Sequence, residues 1–226
     1  MYKLRSMANI QFVKSNDSTN GEDELVDLLN SALQVGKVLW LLSGGSNIEI
    51  ESRVSLRLEG GLTKDLAILL SDERYGPIGH SDSNYLQLTN AGFDPKQAYF
   101  PPVLNDQLDP ESTLDSYQTI FSKLSQGAQV IGQFGIGDDG HIAGILPDSP
   151  ATTSKQLASY YETPTFKRVT LTFEGLKAVN IARVFCFGDS KRSALEQLKS
   201  GSGQLNLQPA LILSQLEDVK VYNDQI

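Results

Sequence analysis

Apolar and polar positions divide the chain into short runs of two kinds. Val38-Leu39-Trp40-Leu41-Leu42 and Leu66-Ala67-Ile68-Leu69-Leu70 are apolar throughout, the pattern of strands buried on both faces. Residues 10–13 and 181–187 are further apolar runs that read as strands, and residues 129–134 read as another strand. Residues 167–172 alternate, and Val219-Lys220-Val221-Tyr222 fits a last strand. Helical spacing appears between them. Residues 21–34 carry Leu25, Leu28, Leu29, Ala32 and Leu33 at that spacing, with acids near the start. Residues 83–91 predict a helix capped by Ser83 or Asp82. Residues 109–124 predict another, with Pro110 at its first position, and 192–199 a further one. Residues 48–58 fit both periods: Ile48, Ile50, Val54, Leu56 and Leu58 alternate, while Ile50, Val54 and Leu58 share a helix face.

Strands alternating with helices predict a three-layer α/β fold: a mostly parallel, Rossmann-like sheet with helices on both faces. Without a repeat, a low-complexity tract or an obvious linker, residues 1–226 read as a single α/β domain. In such sheets the ligand lies beyond the carboxyl ends of the strands.

Charge and composition narrow the function. The chain has 19 Lys+Arg and 27 Asp+Glu, a formal net charge of −8. That argues against general nucleic-acid binding and leaves room for a small basic pocket that takes an anionic metabolite. Cys186, the one cysteine, excludes an intrachain disulfide framework and a Cys-based zinc site, and its apolar run reads as a buried thiol. No apolar run approaches a membrane span, and the start Met1-Tyr2-Lys3-Leu4-Arg5-Ser6-Met7 has no long apolar stretch behind it. The expectation is a cytoplasmic protein without membrane partners, a monomer or small homo-oligomer.

The unusual residues stand at the strand ends. Ser43-Gly44-Gly45-Ser46-Asn47 follows the first fully apolar run, and two glycines allow a tight turn and close backbone approach. With a helix behind it, free N–H groups and the Ser43 and Ser46 hydroxyls would make an anion cradle. Asp72-Glu73-Arg74 follows the second run, and Arg74 offers a planar fork suited to phosphate or carboxylate. Gly135-Ile136-Gly137-Asp138-Asp139-Gly140-His141 follows the third. Its G-x-G-x-x-G spacing is not read as a dinucleotide site, because Gly144 and Pro147 would break the long helix such a site needs. Nor is it a Walker loop, since His141 stands in place of Lys and Ile142 in place of Ser/Thr. What remains is a glycine-shaped turn presenting Asp139 and His141, suited to a general base oriented by a carboxylate. Arg168 and Lys191 are further candidate cations; a Lys at a helix start opposes the dipole, which favours a functional use.

Together these segments resemble the 6-phosphogluconolactonase family. The resemblance rests on Ser43-Gly44-Gly45-Ser46, Ser71-Asp72-Glu73-Arg74 with Pro77 and Ser83-Asn84, the 135–141 turn with Pro147, Arg168-Val169-Thr170-Leu171-Thr172, and Lys191, in order from about Val38 to about Leu198. The family shares its fold and several motifs with glucosamine-6-phosphate deaminases. These carry a Glu five residues after the His, where this chain has Leu146, and tend to have Tyr where it has Arg74. Departures from the lactonase pattern are Asn47 for Thr, Ile142-Ala143-Gly144 for a Thr-Ala-Ser type, and Gly76 for Val.

The resemblance implies hydrolysis of 6-phosphoglucono-1,5-lactone to 6-phosphogluconate, a step of the pentose phosphate pathway, without metal or cofactor. His141 would activate water, with Asp139 or Asp72 orienting its ring. Arg74 and Lys191 would clamp the phosphate, the backbone of Ser43, Gly44, Gly45, Ser46 and Asn47 would assist, and Arg168 would be a third cation. Two other readings stand beside this one. The first is a deaminase or isomerase with Asp72 as base; the second is a non-catalytic sugar-phosphate sensor.

Overall fold

The two fully apolar runs pair with each other at one side of a six-stranded parallel sheet. The structure, a computed structural model, describes residues 10–107 and 109–226. Residues 1–7, whose sequence was read for an apolar stretch, lie outside the described residues. The strands are β1 (Ile10–Lys14), β2 (Val38–Leu42), β3 (Leu66–Leu70), β5 (Gln129–Phe134), β8 (Ile181–Cys186) and β9 (Asp218–Asn223), in the order β1-β9-β8-β5-β2-β3. Every pairing between them is parallel. All carboxyl ends therefore open toward one edge. No side chain of β2 is exposed, as its continuous apolar sequence requires.

Helices α1 (Thr19–Val35), α2 (Ile48–Arg57), α3 (Asn84–Asn90), α4 (Pro110–Ser125), the single turn α5 (Phe173–Leu176) and α6 (Arg192–Ser200) cover the sheet. The apolar face of α1 buries Leu25, Val26, Leu29, Ala32 and Leu33. Gly21 lets α1 settle on the stacked rings of Phe185 and Tyr222, where a Cβ would lie 2.6 Å from the Phe185 ring. Ser83 caps α3 through Leu86 N–H, and Asp109 caps α4 ahead of Pro110. The ambiguous stretch after β2 is helix α2. Gly45, at φ +63°, turns the chain into a short 3₁₀ turn that feeds it. Among the described residues no helix is long and apolar enough to cross a membrane.

A second, antiparallel sheet was not foreseen. It consists of β4 (Asp72–Arg74), β7 (Lys167–Leu171) and β6 (Ala158–Glu162), in the order β4-β7-β6. The charged 72–74 segment, expected as a loop, is its edge strand, and it sets Asp72 opposite Thr170 and Arg74 opposite Arg168. Ser71 is the joint. Its N–H donates to Leu42 in the large sheet at 2.7 Å, and its carbonyl accepts from Leu171 in the small one at 2.8 Å. The small sheet thus stands over the carboxyl ends of the large one.

Candidate active site

Four loops from these carboxyl ends enclose a cleft of about 260 Å³. The first follows β2. The amide of Ser43 donates to Glu51 Oε1 at 2.8 Å, and its hydroxyl to the same oxygen at 3.3 Å. Gly44 packs on the Asn84 amide, where a Cβ would lie 2.2 Å from Oδ1. Ser43, Gly44, Gly45 and Ser46 line the cleft; Asn47 does not. Asn47 is buried, donates its side-chain amide to the Phe185 carbonyl at 3.3 Å, and turns its N–H onto Gly44. The expectation that Asn47 helps hold the phosphate is therefore corrected: both its donors face inward. The same holds for the amide of Ser43.

The second loop is β4 itself. Asp72 is buried, with Oδ2 3.3 Å from Arg168 Nη1 and 3.9 Å from Arg74 Nε. Both guanidinium groups lie over the ring of Phe166, at 4.5 Å for Arg74 and 5.3 Å for Arg168. Two cations share one carboxylate here, so the cluster keeps one net positive charge. The Nε atoms of both arginines are buried with no hydrogen-bond partner among the described residues. Glu73, next in sequence, faces the opposite way. Fully buried, it accepts from the amides of Arg74, Asn84 and Tyr85 and from the Ser83 hydroxyl. Burial pushes its pKa up, and these four bonds offset part of that rise. Glu73 anchors α3; it does not serve the cleft. His80 likewise stands behind the strand, with Nε2 2.8 Å from the Arg74 carbonyl.

The third loop follows β5 and carries no helix. Gly137 N–H donates to the His141 carbonyl and Gly140 N–H to the Gly137 carbonyl, each at 2.9 Å, which closes a tight turn with Gly140 at φ +81°. His141 Nδ1 lies 2.6 Å from Asp139 Oδ1, which also accepts the His141 amide at 3.1 Å. The hydrogen bond from His141 holds the Asp139 pKa down at about 2. Among the described residues, the carboxylate bonded to this ring is Asp139. Asp72 is occupied by the arginines. Asp139 stands outside the lining and His141 within it. Beyond the turn, the hydroxyls of Thr170 and Tyr161 donate to the carbonyls of Ala143 and Gly144, tying the loop to the small sheet.

The fourth loop follows β8. Lys191 ends the 3₁₀ turn Asp189–Lys191 and caps α6, and its Nζ is 2.6 Å from the exposed Asp138 carboxylate. The Asp138 side of this ion pair is exposed to water, which weakens it. Cys186, at the end of β8, is buried, which pushes its thiol up to about 11.

Ser43, Gly44, Gly45, Ser46, Asp72, Arg74, His141 and Lys191, drawn from all four loops, meet Arg168 of β7 in this one cleft. Sequence reasoning missed Phe166 and Glu51. Phe166 sits in a hairpin that was not foreseen, and Glu51 lies in the 48–58 stretch whose pattern fits strand and helix alike.

The chain has relatives in sequence and in fold. A family model described as glucosamine-6-phosphate isomerases/6-phosphogluconolactonase matches residues 17–221. A probable 6-phosphogluconolactonase of Dictyostelium discoideum is 27% identical over 152 residues, covering 62% of this chain and 64% of that protein. A 6-phosphogluconolactonase of Borreliella burgdorferi is 25% identical over 219 residues, covering 91% and 92%. The chain spans only about three fifths of the Dictyostelium protein and of a chloroplastic rice relative, at 64% and 61% of their lengths. Among solved structures, a 6-phosphogluconolactonase from Shewanella baltica superposes with a TM-score of 0.77 at 20% identity, covering 95% of this chain and 97% of that one. A monomeric glucosamine-6-phosphate deaminase gives 0.74 at 20% identity, covering 94% and 96%, so the fold is common to both activities. With 205 of its residues inside the family model, the chain belongs to the glucosamine-6-phosphate isomerase/6-phosphogluconolactonase family.

Proposed function

We propose that the chain hydrolyses 6-phosphoglucono-1,5-lactone to 6-phosphogluconate, acting in the cytoplasm as a monomer or small homo-oligomer. The observation that carries this reading is the His141 ring, which lines the cleft with an ionised Asp139 behind it and Arg74, Arg168 and Lys191 around it. With Asp139 accepting from Nδ1–H, the bare nitrogen is Nε2, the one free to face a water. His141 takes a proton from that water as its oxygen bonds to the lactone carbonyl carbon. The tetrahedral centre then breaks its bond to the ring oxygen, which receives the proton back. Water and lactone are consumed and one hydroxy acid is formed.

Arg74 and Lys191 take the phosphate, helped by the surplus charge of the Arg74–Asp72–Arg168 cluster and the backbone of Gly44, Gly45 and Ser46. The lactone is intrinsically reactive, so positioning and one proton transfer supply the catalysis, the latter about 10²–10⁴-fold. Against a deaminase, Asp72 is held by Arg168 at 3.3 Å, and Leu146 packs on the core where those enzymes carry a Glu.

The test is lactone hydrolysis above the spontaneous rate, by pH-stat or a coupled dehydrogenase, with ammonia release from glucosamine 6-phosphate measured beside it. Lactone turnover without ammonia is expected. Ammonia release in its place makes the chain a deaminase, and binding of 6-phosphogluconate with neither activity makes it a sensor.

A further inference from the structure

Glu51 has no counterpart in the mechanism above, yet it sits directly under the cleft. It is fully buried on α2, its Oε1 takes both donors of Ser43, and its Oε2 has no hydrogen-bond partner among the described residues. Burial pushes its pKa well above the usual carboxylate range, and the nearby Asp72 adds to the rise. A carboxyl in such a place costs stability unless it holds something in position.

What it holds is the first residue of the cradle. The Ser43 amide and hydroxyl hydrogens both point down to Glu51, so the surface Ser43 shows the cleft is its oxygen lone pairs. Lone pairs repel a phosphate and accept from a sugar hydroxyl.

We propose that Glu51 is a positioning residue which, by locking Ser43, makes this corner of the cleft a recognition point for a substrate hydroxyl and leaves the phosphate to Gly44, Gly45, Ser46 and the cations. This rests on the proposed reading of a phosphosugar substrate and adds which group Ser43 reads.

Calorimetry with inorganic phosphate and with 6-phosphogluconate separates the two roles, and lactone turnover is measured on the same proteins. In Ser43→Ala, phosphate affinity stays within about twofold while 6-phosphogluconate weakens about tenfold, one hydrogen bond's worth at about 1.4 kcal/mol. Glu51→Leu gives the same selective loss with a raised KM and little change in kcat. Glu51→Gln keeps a carbonyl for Ser43 and recovers most of the binding. Equal weakening of both ligands in Ser43→Ala makes Ser43 a phosphate donor and overturns the proposal. So does wild-type binding in Glu51→Leu, or loss in Glu51→Gln as deep as in Glu51→Leu. Wild-type protein that binds both ligands and turns over no lactone overturns the hydrolase reading and leaves the assignment of Ser43 standing on the binding data.

Discussion

Gly137 and His141 compete for one volume. A Cβ on Gly137 would lie 2.0 Å from His141 Nδ1 and 2.7 Å from Asp139 Oδ1, far inside van der Waals contact. The glycine is there to admit the ring and its carboxylate partner. Its φ lies outside the left-handed region, so alanine suits the backbone and the clash falls on the side chains alone. Gly137→Ala should therefore displace the imidazole while sparing the fold. The expected outcome is a kcat about 10²-fold lower or worse, with a melting temperature close to wild type and 6-phosphogluconate binding retained. A variant with unchanged kcat would show that the ring position is irrelevant to turnover.

The Asp139–His141 bond sets a pH signature. Asp139 has its folded pKa lowered from 3.8 to about 2 by the hydrogen bond with His141. A depressed carboxylate pKa favours the folded pair above the unfolded value and loses that advantage as pH falls through the folded one. Asp139 therefore stays ionised above about pH 3, and an acid limb of the rate profile between pH 4 and 7 belongs to another group. His141→Ala should lose about 10²–10⁴-fold in kcat with substrate binding kept. Asp139→Asn should keep the ring and lose its orientation, lowering kcat about 10²-fold, less than a fully buried triad carboxylate because Asp139 is half exposed. Single-turnover kinetics beside product binding reads both.

The strands Val38–Leu42 and Leu66–Leu70 were legible because burial leaves no polar position in them. The small sheet was not. Asp72–Arg74 presents three charges, two of which line the polar cleft, and Ala158–Glu162 mixes Ser and Tyr. Helix α2 read both ways because Glu51, Ser52 and Ser55 interrupt its buried stripe with polar groups. In the site, the glycine turns and their charges were visible as local strings. The pairing of Arg168 with Asp72 spans 96 residues and follows only from the register of β4 on β7. The inward turn of Asn47 depends on Phe185, 138 residues away, which no local pattern reports.

The two arginines on Phe166 should separate by phenotype. Arg168 is the more deeply buried and makes the shorter contact to Asp72. Removing one partner of a buried pair typically costs about 3–5 kcal/mol, and Arg74 at 3.9 Å relieves part of that. Arg168→Ala is expected to lose about 2–3 kcal/mol in urea unfolding. Arg74→Ala should lose less stability and raise KM at least about tenfold, the loss of one charge-assisted contact, with kcat nearly constant. A reversal, with Arg74 the structural member, would show up in the same two measurements.

Glu73 offers the sharpest test of conservative substitution. Its two oxygens receive four donors: Oε1 takes the amides of Arg74 and Asn84, and Oε2 those of Tyr85 and the Ser83 hydroxyl. A carboxylate has the lone pairs for all four, and no donor of its own to place. Glutamine keeps the shape and turns one acceptor into an NH₂ that points at two donors. Glu73→Gln should thus destabilise by about 2 kcal/mol or more, because two buried donors lose their acceptor. The damage should reach the site, since Asn84 Nδ2 bonds the Asp72 carbonyl at 3.0 Å and packs against Gly44. Urea unfolding and lactone kinetics on Glu73→Gln should therefore fall together. A variant as stable as wild type, with unchanged KM, would show that α3 does not depend on this anchor.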